Sequence, residues 1–173
     1  SKDNHRFRGN AYYTRDGLVL ALRMIPDKIP NFETIGLPKF VLDEIMAFKN
    51  GLVLVVGPTG HGKSTTLASL INHRSHHQEE HIILLEDPIE FIVNSDQSIV
   101  HQRSLGRDVM QFDKGLKAAL REDPDVLMVG EMRDLETISA ALTAAETGHL
   151  VFSTLHTNSA PETINRIIDA FPS

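Results

Sequence analysis

Gly57, Gly62, Lys63 and Ser64 stand at the spacing G-x-x-x-x-G-K-[ST], inside the stretch VLVVGPTGHGKSTTLASL from Val53 to Leu70. Such a loop after a strand and before a helix turns successive backbone N–H groups inward around a phosphate chain, and the helix N-terminus adds its partial positive charge. The ligand it implies is a nucleoside triphosphate. Lys63 reaches the terminal phosphates, the Ser64 hydroxyl ligates Mg²⁺, and Thr59, Gly60 and Thr65 complete the cradle. His61 fills a variable loop position and is expected to be exposed and without a catalytic role.

Phosphoryl transfer to water needs a metal held in place and a water oriented in line with the γ-phosphate. Carboxylates at the C-terminal ends of neighbouring strands are the natural suppliers. The run IILLEDPIE offers Glu86, Asp87 and Glu90, and DVLMVGEMRD offers Glu131 and Asp134. Glu90 and Glu131 are expected to flank the phosphates, with Glu131 as a metal contact through water because Gly130 precedes it where many proteins of this class carry Asp. Asp134 reads as the cap of the following helix. In GHLVFSTLHTNSAPE a further polar group gathers, with His149 before the strand and Thr154, His156 and Thr157 after it. A side chain leaving that strand beside the γ-phosphate could sense whether the phosphate is present. Ser159 and Glu162 carry capping-box spacing.

These groups need a scaffold, and the hydrophobic pattern supplies one. Short β-branched runs at Leu52–Val56, Ile82–Leu85, Val126–Val129 and Leu150–Ser153 alternate with helical stretches at 62–74, 113–121, 135–145 and 161–170, the pattern of a parallel sheet covered on both faces. The segment 89–102, IEFIVNSDQSIVHQ, is read as an extra antiparallel pair. Before the core, apolar positions Val41, Ile45 and Phe48 predict a helix ending at a left-handed Asn50-Gly51 cap. Alternating stretches around Phe7 and from Leu18 to Leu22, joined at Asp16-Gly17, predict a hairpin. The fold class is α/β: residues 1–30 are expected to be the last part of a β-rich unit, 31–37 a linker, and 38–173 the nucleotide-binding core.

The 173 residues carry 41% apolar side chains, 17 Lys and Arg against 23 Asp and Glu, and no cysteine. Disulfides, thiol catalysis and cysteine zinc sites are excluded. The charge of -6 gives no footprint for nucleic acid or an anionic membrane. No run reaches the length of a spanning helix, and a cytoplasmic location is expected. The histidine group His73, His76, His77 and His81 is read as a solvated helix end.

The segments GPTGHGKSTT, LLEDPIEF, ALREDPDVLMVGEMRDLETI and TAAETGHLVFSTLHT together resemble the secretion ATPase superfamily of type II secretion and type IV pili, and within it the pilus retraction ATPases of twitching motility. The likeness runs from about Arg6 to the C-terminus. It implies a RecA-like core with four signatures: the phosphate loop at Gly57–Ser64, an acidic box at Glu86–Glu90, a second acidic strand end at Glu131, and a histidine box from His149 to His156. It further implies Glu90 as general base or water-positioning acid, Glu131 acting with the metal, His156 as γ-phosphate sensor, and His149 at the nucleotide. Hydrolysis would use ATP and Mg²⁺ in a homo-hexameric ring. A PAS-like N-terminal unit would bring Arg8 and Arg23, with Arg6 a weaker candidate, towards the nucleotide. An inner-membrane platform protein would be the partner, met at the cytoplasmic face of that membrane. The chain is expected to begin within the PAS-like unit and to stop before the C-terminal helices. Two other functions share the phosphate loop: a small-molecule kinase, for which no acceptor pocket or lid is evident, and a nucleotide-dependent interaction module that does not turn over.

Overall fold

A computed structural model describes residues 5–26 and 28–172; the remaining positions assigned above to the β-rich unit (1–4 and 27) and to the end of the core (173) lie outside the described residues. The chain opens with an antiparallel hairpin, β1 (Arg6–Thr14) and β2 (Gly17–Ile25). Its register places Phe7 opposite Met24, Gly9 opposite Leu22, Ala11 opposite Leu20 and Tyr13 opposite Leu18. Because side chains alternate along a strand, one face of the hairpin is wholly apolar, and Leu18, Leu20, Leu22 and Met24 on it are each about 60% exposed. The other face carries the Arg8–Arg23 cross-strand pair.

A 3₁₀ turn, Phe32–Ile35, then docks through Phe32 against Leu42 and Leu70, so the segment expected to be a linker is packed on the core. Helix α1 (Lys39–Ala47) stops earlier than expected: Phe48 is already extended, and the positive φ of Gly51 belongs to the first residue of β3. The loose carbonyls at the α1 terminus are taken up by Arg74, fully buried, which donates to Ile45, Met46 and Phe48 at 3.2, 3.5 and 3.0 Å and forms a two-point ion pair with Glu80 at 2.6 and 2.5 Å.

The core sheet has strand order β3-β7-β6-β4-β5, parallel throughout: β3 (Gly51–Val56), β4 (His81–Glu86), β5 (Ile99–Ser104), β6 (Val126–Val129) and β7 (Leu150–Leu155). Alternation divides the sheet. Ile82, Leu84, Met128 and Phe152 pack with Leu67 and Ile71 of α2 (Lys63–His77) on one side. Ile83, Leu85, Leu127 and Val151 pack on the other with Leu116 of α3 (Phe112–Ala119) and Ile138 and Ala141 of α4 (Leu135–Glu146). Burial on both faces explains why these strands read as continuous apolar runs. The last helix, α5 (Ala160–Ile168), follows β7.

The expected pairing before β5 also fails. Residues 89–102 form no antiparallel pair; a loop returns to the start of β4, where the Gln97 and Ser98 amides donate to Ser75, the Ile99 amide to Glu80, and the Ser98 hydroxyl to the Gln78 carbonyl. Anchored there, β5 can only run alongside β4 in the same direction.

Candidate functional site

Parallel strands deliver their C-terminal ends to one edge, and there a cleft of about 540 Å³ opens. Its walls come from the phosphate loop, the loop after β4, the ends of β6 and β7, and the arginine face of the hairpin. Thr59, Gly60, Gly62, Lys63, Ser64 and Thr65 line it. Gly57, Gly60 and Gly62 have φ of 153°, 81° and 83°, and a Cβ at Gly60 or Gly62 would meet nothing within 4 Å, so the left-handed backbone is what calls for glycine there. Lys63, 8% exposed, curls over its own loop and donates to the carbonyls of Gly57 and Pro58 at 2.8 and 3.0 Å. His61 is exposed, as expected, with Nδ1 3.1 Å from the Thr59 carbonyl.

The β7 end adds His156. Its Nδ1 lies 3.4 Å from Lys63 Nζ and 3.2 Å from Thr59 Oγ1. An ammonium can only donate, so Nδ1 accepts and a neutral ring carries its proton on Nε2, which lies 3.8 Å from Glu131 Oε2. The Glu131 carboxylate is itself gripped at both oxygens by Arg133. Those hydrogen bonds hold Glu131 below the usual carboxylate range, against the opposing effect of burial. Gly130 is explained by contact: an added Cβ would lie 3.3 Å from the Leu85 carbonyl and 3.5 Å from Glu86 Cα. Asp134 caps α4 as expected, accepting from the Thr137 amide at 2.8 Å. At α5 Ser159 accepts from the Glu162 amide, but the Glu162 carboxylate bonds the Asn158 amide instead of closing the box on Ser159.

Glu86 and Glu90 line the same cleft. Burial pushes the Glu86 carboxyl up to about 7, in spite of hydrogen bonds from the Gln102 side chain and the Glu90 backbone. Glu90 lies in the loop beyond, next to Arg8, Arg23 and Thr65. Arg6 donates Nη2 to the Glu90 carbonyl at 2.8 Å, so it ties the hairpin to that loop by its backbone.

Two of the residues singled out from sequence stand away from the cleft: Thr157 is buried with its hydroxyl 2.5 Å from that of Thr163, and the other is His149. It precedes β7 while His156 follows it, and six residues of strand at about 3.3 Å each put the two about 20 Å apart. His149 Nδ1 instead lies 3.1 Å from the Ala144 carbonyl at the end of α4, and its backbone carbonyl receives the Gly51 amide. Arg133 and Gln102 are the polar cleft residues that sequence left unmarked. The first could have been found from its position two residues beyond Glu131; the second carries no charge, and its strand had been paired wrongly. The histidine group is divided: His73 stacks on His77 with ring centroids 4.1 Å apart, whereas His81 bonds His101 at 3.0 Å. Among the described residues, no set of three or more His, Asp or Glu is arranged to hold a metal ion.

A phosphate loop, two acidic strand ends and a histidine around one cleft find their counterpart in a known family. Residues 1–170 match the Type II/IV secretion system protein family. The chain belongs to that family. It is 51% identical over 168 residues to the type IV pilus retraction ATPase PilT of Pseudomonas aeruginosa, covering 97% of this chain and 48% of the relative. It is 50% identical over 171 residues to the uncharacterized protein YggR of Escherichia coli K12, covering 99% and 52%. A crystal structure described as the pilus retraction motor PilT with bound ADP superposes with a TM-score of 0.95 at 55% identity, over 99% of this chain and 50% of that one. The chain thus spans about half the length of each of these three relatives. Among its described residues no helix is long and apolar enough to cross a membrane.

Proposed function

We propose that the protein is a motor ATPase that hydrolyses ATP to drive type IV pilus retraction or a closely related pilus or secretion process. What supports the reading above all is the single cleft onto which Lys63, Glu90, Glu131, His156, Arg8 and Arg23 converge.

In this reading Lys63 leaves the Gly57 and Pro58 carbonyls for the β- and γ-phosphates, and the glycine-rich backbone cradles the rest of the chain. Ser64 Oγ and the Glu131 carboxylate are hard oxygen donors suited to Mg²⁺, which when bound neutralises charge on the phosphates. Glu90 orients the attacking water and accepts its proton as the oxygen adds to the γ-phosphorus and ADP departs. His156, already sharing its Nδ1 with Lys63 and Thr59, is placed to register whether the γ-phosphate has displaced that contact. Arg8 and Arg23 are like charges directly opposite one another, an unfavourable pairing unless an anion lies nearby. Bringing them towards the phosphates as the hairpin closes would stabilise transition-state charge and couple turnover to movement. Ser64 and Glu131 would hold the metal, directly or through water, and the Arg133 fork on both Glu131 oxygens would compete with it for that carboxylate.

The domain division follows from the same reading: residues 1–30 as part of a PAS-like unit whose apolar face seeks cover, 31–37 as a docked linker, and 38–173 as a RecA-like core. A homo-hexameric ring working on an inner-membrane platform protein from the cytoplasmic side completes it. The test is steady-state ATP turnover of the full-length protein and its Glu90→Gln and Arg23→Ala variants. Both should retain nucleotide binding, Glu90→Gln should turn over at least ~100-fold more slowly, and wild-type turnover in Glu90→Gln would overturn the assignment.

A further inference from the structure

Gln102 is uncharged and stands on the edge strand of the sheet, yet every one of its amide groups is engaged. Its Oε1 accepts from the Val93 amide at 2.8 Å, and its Nε2 donates to the Phe91 carbonyl at 2.9 Å and to Glu86 Oε1 at 2.8 Å. The two backbone contacts fix which end of the amide is oxygen, because an N–H can only donate and a carbonyl only accept. The parallel register explains the reach: Gln102 pairs with Leu84, so it projects on the same face as Leu84 and, two residues on, Glu86.

Its three partners stand at the two ends of one loop. Glu86 is the last residue of β4, while Phe91 and Val93 follow Glu90. Between β4 and β5 there is no helix or strand, so no ladder holds Glu90 in place. Two other ties reach it: Arg6 on its carbonyl and the bond from its backbone to the Glu86 carboxyl that Gln102 also holds.

We propose that Gln102 is a positioning residue for the ATPase reaction: its amide staples the start of the Glu86–Val93 loop to its end and so fixes where Glu90 stands in the cleft. This rests on the reading of Glu90 given above. A misplacement of about 1 Å at a group that orients a reacting water lowers the rate on the order of 100-fold, so three hydrogen bonds remote from the phosphates have a kinetic effect larger than their share of stability.

The experiment measures kcat and KM for ATP, with assembly state checked, in the full-length protein and four variants. Gln102→Glu keeps the acceptor for Val93 and removes both donors; Gln102→Met keeps the length and removes all three contacts. The double variant Glu86→Gln, Gln102→Glu returns a donor to the side-chain contact with its polarity reversed, and Glu90→Gln reports whether the loop matters. The proposal expects kcat to fall about 10- to 100-fold in both single Gln102 variants with KM within about 3-fold of wild type. In the double variant at least ~3-fold of that kcat should return. Wild-type kcat in Gln102→Met beside a slow Glu90→Gln overturns the positioning role. So does loss of kcat together with KM or assembly, with no recovery in the double variant, since that is what a purely structural residue produces. Wild-type turnover in Glu90→Gln overturns the reading of Glu90 itself, and the role of Gln102 with it.

Discussion

Replacing Glu86 by Gln should leave the protein little changed in acid and make it more stable in base. The Glu86 carboxyl sits at the back of the cleft, where burial raises its pKa from 4.5 to about 7. A carboxyl whose folded-state pKa is raised contributes stability that is fully present below its unfolded value and is lost as the pH climbs through the folded one. The window is therefore about 4.5 to 7. At about 1.4 kcal/mol for each pH unit between the two values, ionisation of Glu86 costs the fold about 3 kcal/mol above that window. A glutamine keeps a carbonyl to receive the Gln102 amide and has no charge to desolvate. Urea denaturation of the nucleotide-free protein, followed by circular dichroism, should give equal stability for wild type and Glu86→Gln to within ~1 kcal/mol at about pH 5. Near pH 8.5 the variant should lead by about 2 to 3 kcal/mol. A difference that stays the same at both pH values would refute the view that desolvation governs this carboxyl.

Arg74→Met should lower stability by about 3 to 5 kcal/mol, because it leaves the Glu80 carboxylate buried without its partner and strips the α1 carbonyls of theirs; the double variant with Glu80→Leu should recover most of the loss, and a single variant costing under ~1 kcal/mol would contradict the clamp role. Gly130→Ala should cost about 1 to 3 kcal/mol in the same denaturation assay, since the new Cβ presses on backbone of β4 that cannot turn aside; an unchanged urea midpoint would show that the strand ends have room. Asp134→Ala should cost about 1 kcal/mol by removing the bond to the Thr137 amide, with equal stability as the contrary result.

What could be read from sequence was governed by local physics. The phosphate loop is marked by spacing and by glycines at left-handed positions, the core strands by uninterrupted apolar runs, and Asp134 by its place before an amphipathic stretch. The β5 strand was misread because the apolar stretches IEFIV and IV flank the turn-rich NSDQS, as the two arms of a hairpin would. Its direction is set by distant partners, the carbonyls of Ser75, Gln78 and Glu80, which no local pattern announces. The same long-range pairing brings Gln102 over Glu86, so its engagement was invisible. His149 was misplaced by treating the segment His149–His156 as one site, although a six-residue strand separates its ends. Arg133 stands only two residues beyond Glu131, so its proximity was legible in the sequence, whereas the fork onto both carboxylate oxygens is a matter of side-chain geometry.

The most direct test of the central claim is ATP turnover by the full-length protein as a function of its concentration, with Lys63→Ala as the blank. A hexameric ATPase whose site needs Lys63 predicts specific activity that rises steeply with concentration and disappears in the variant. Nucleotide binding without turnover at any concentration, or turnover that survives Lys63→Ala, would contradict it.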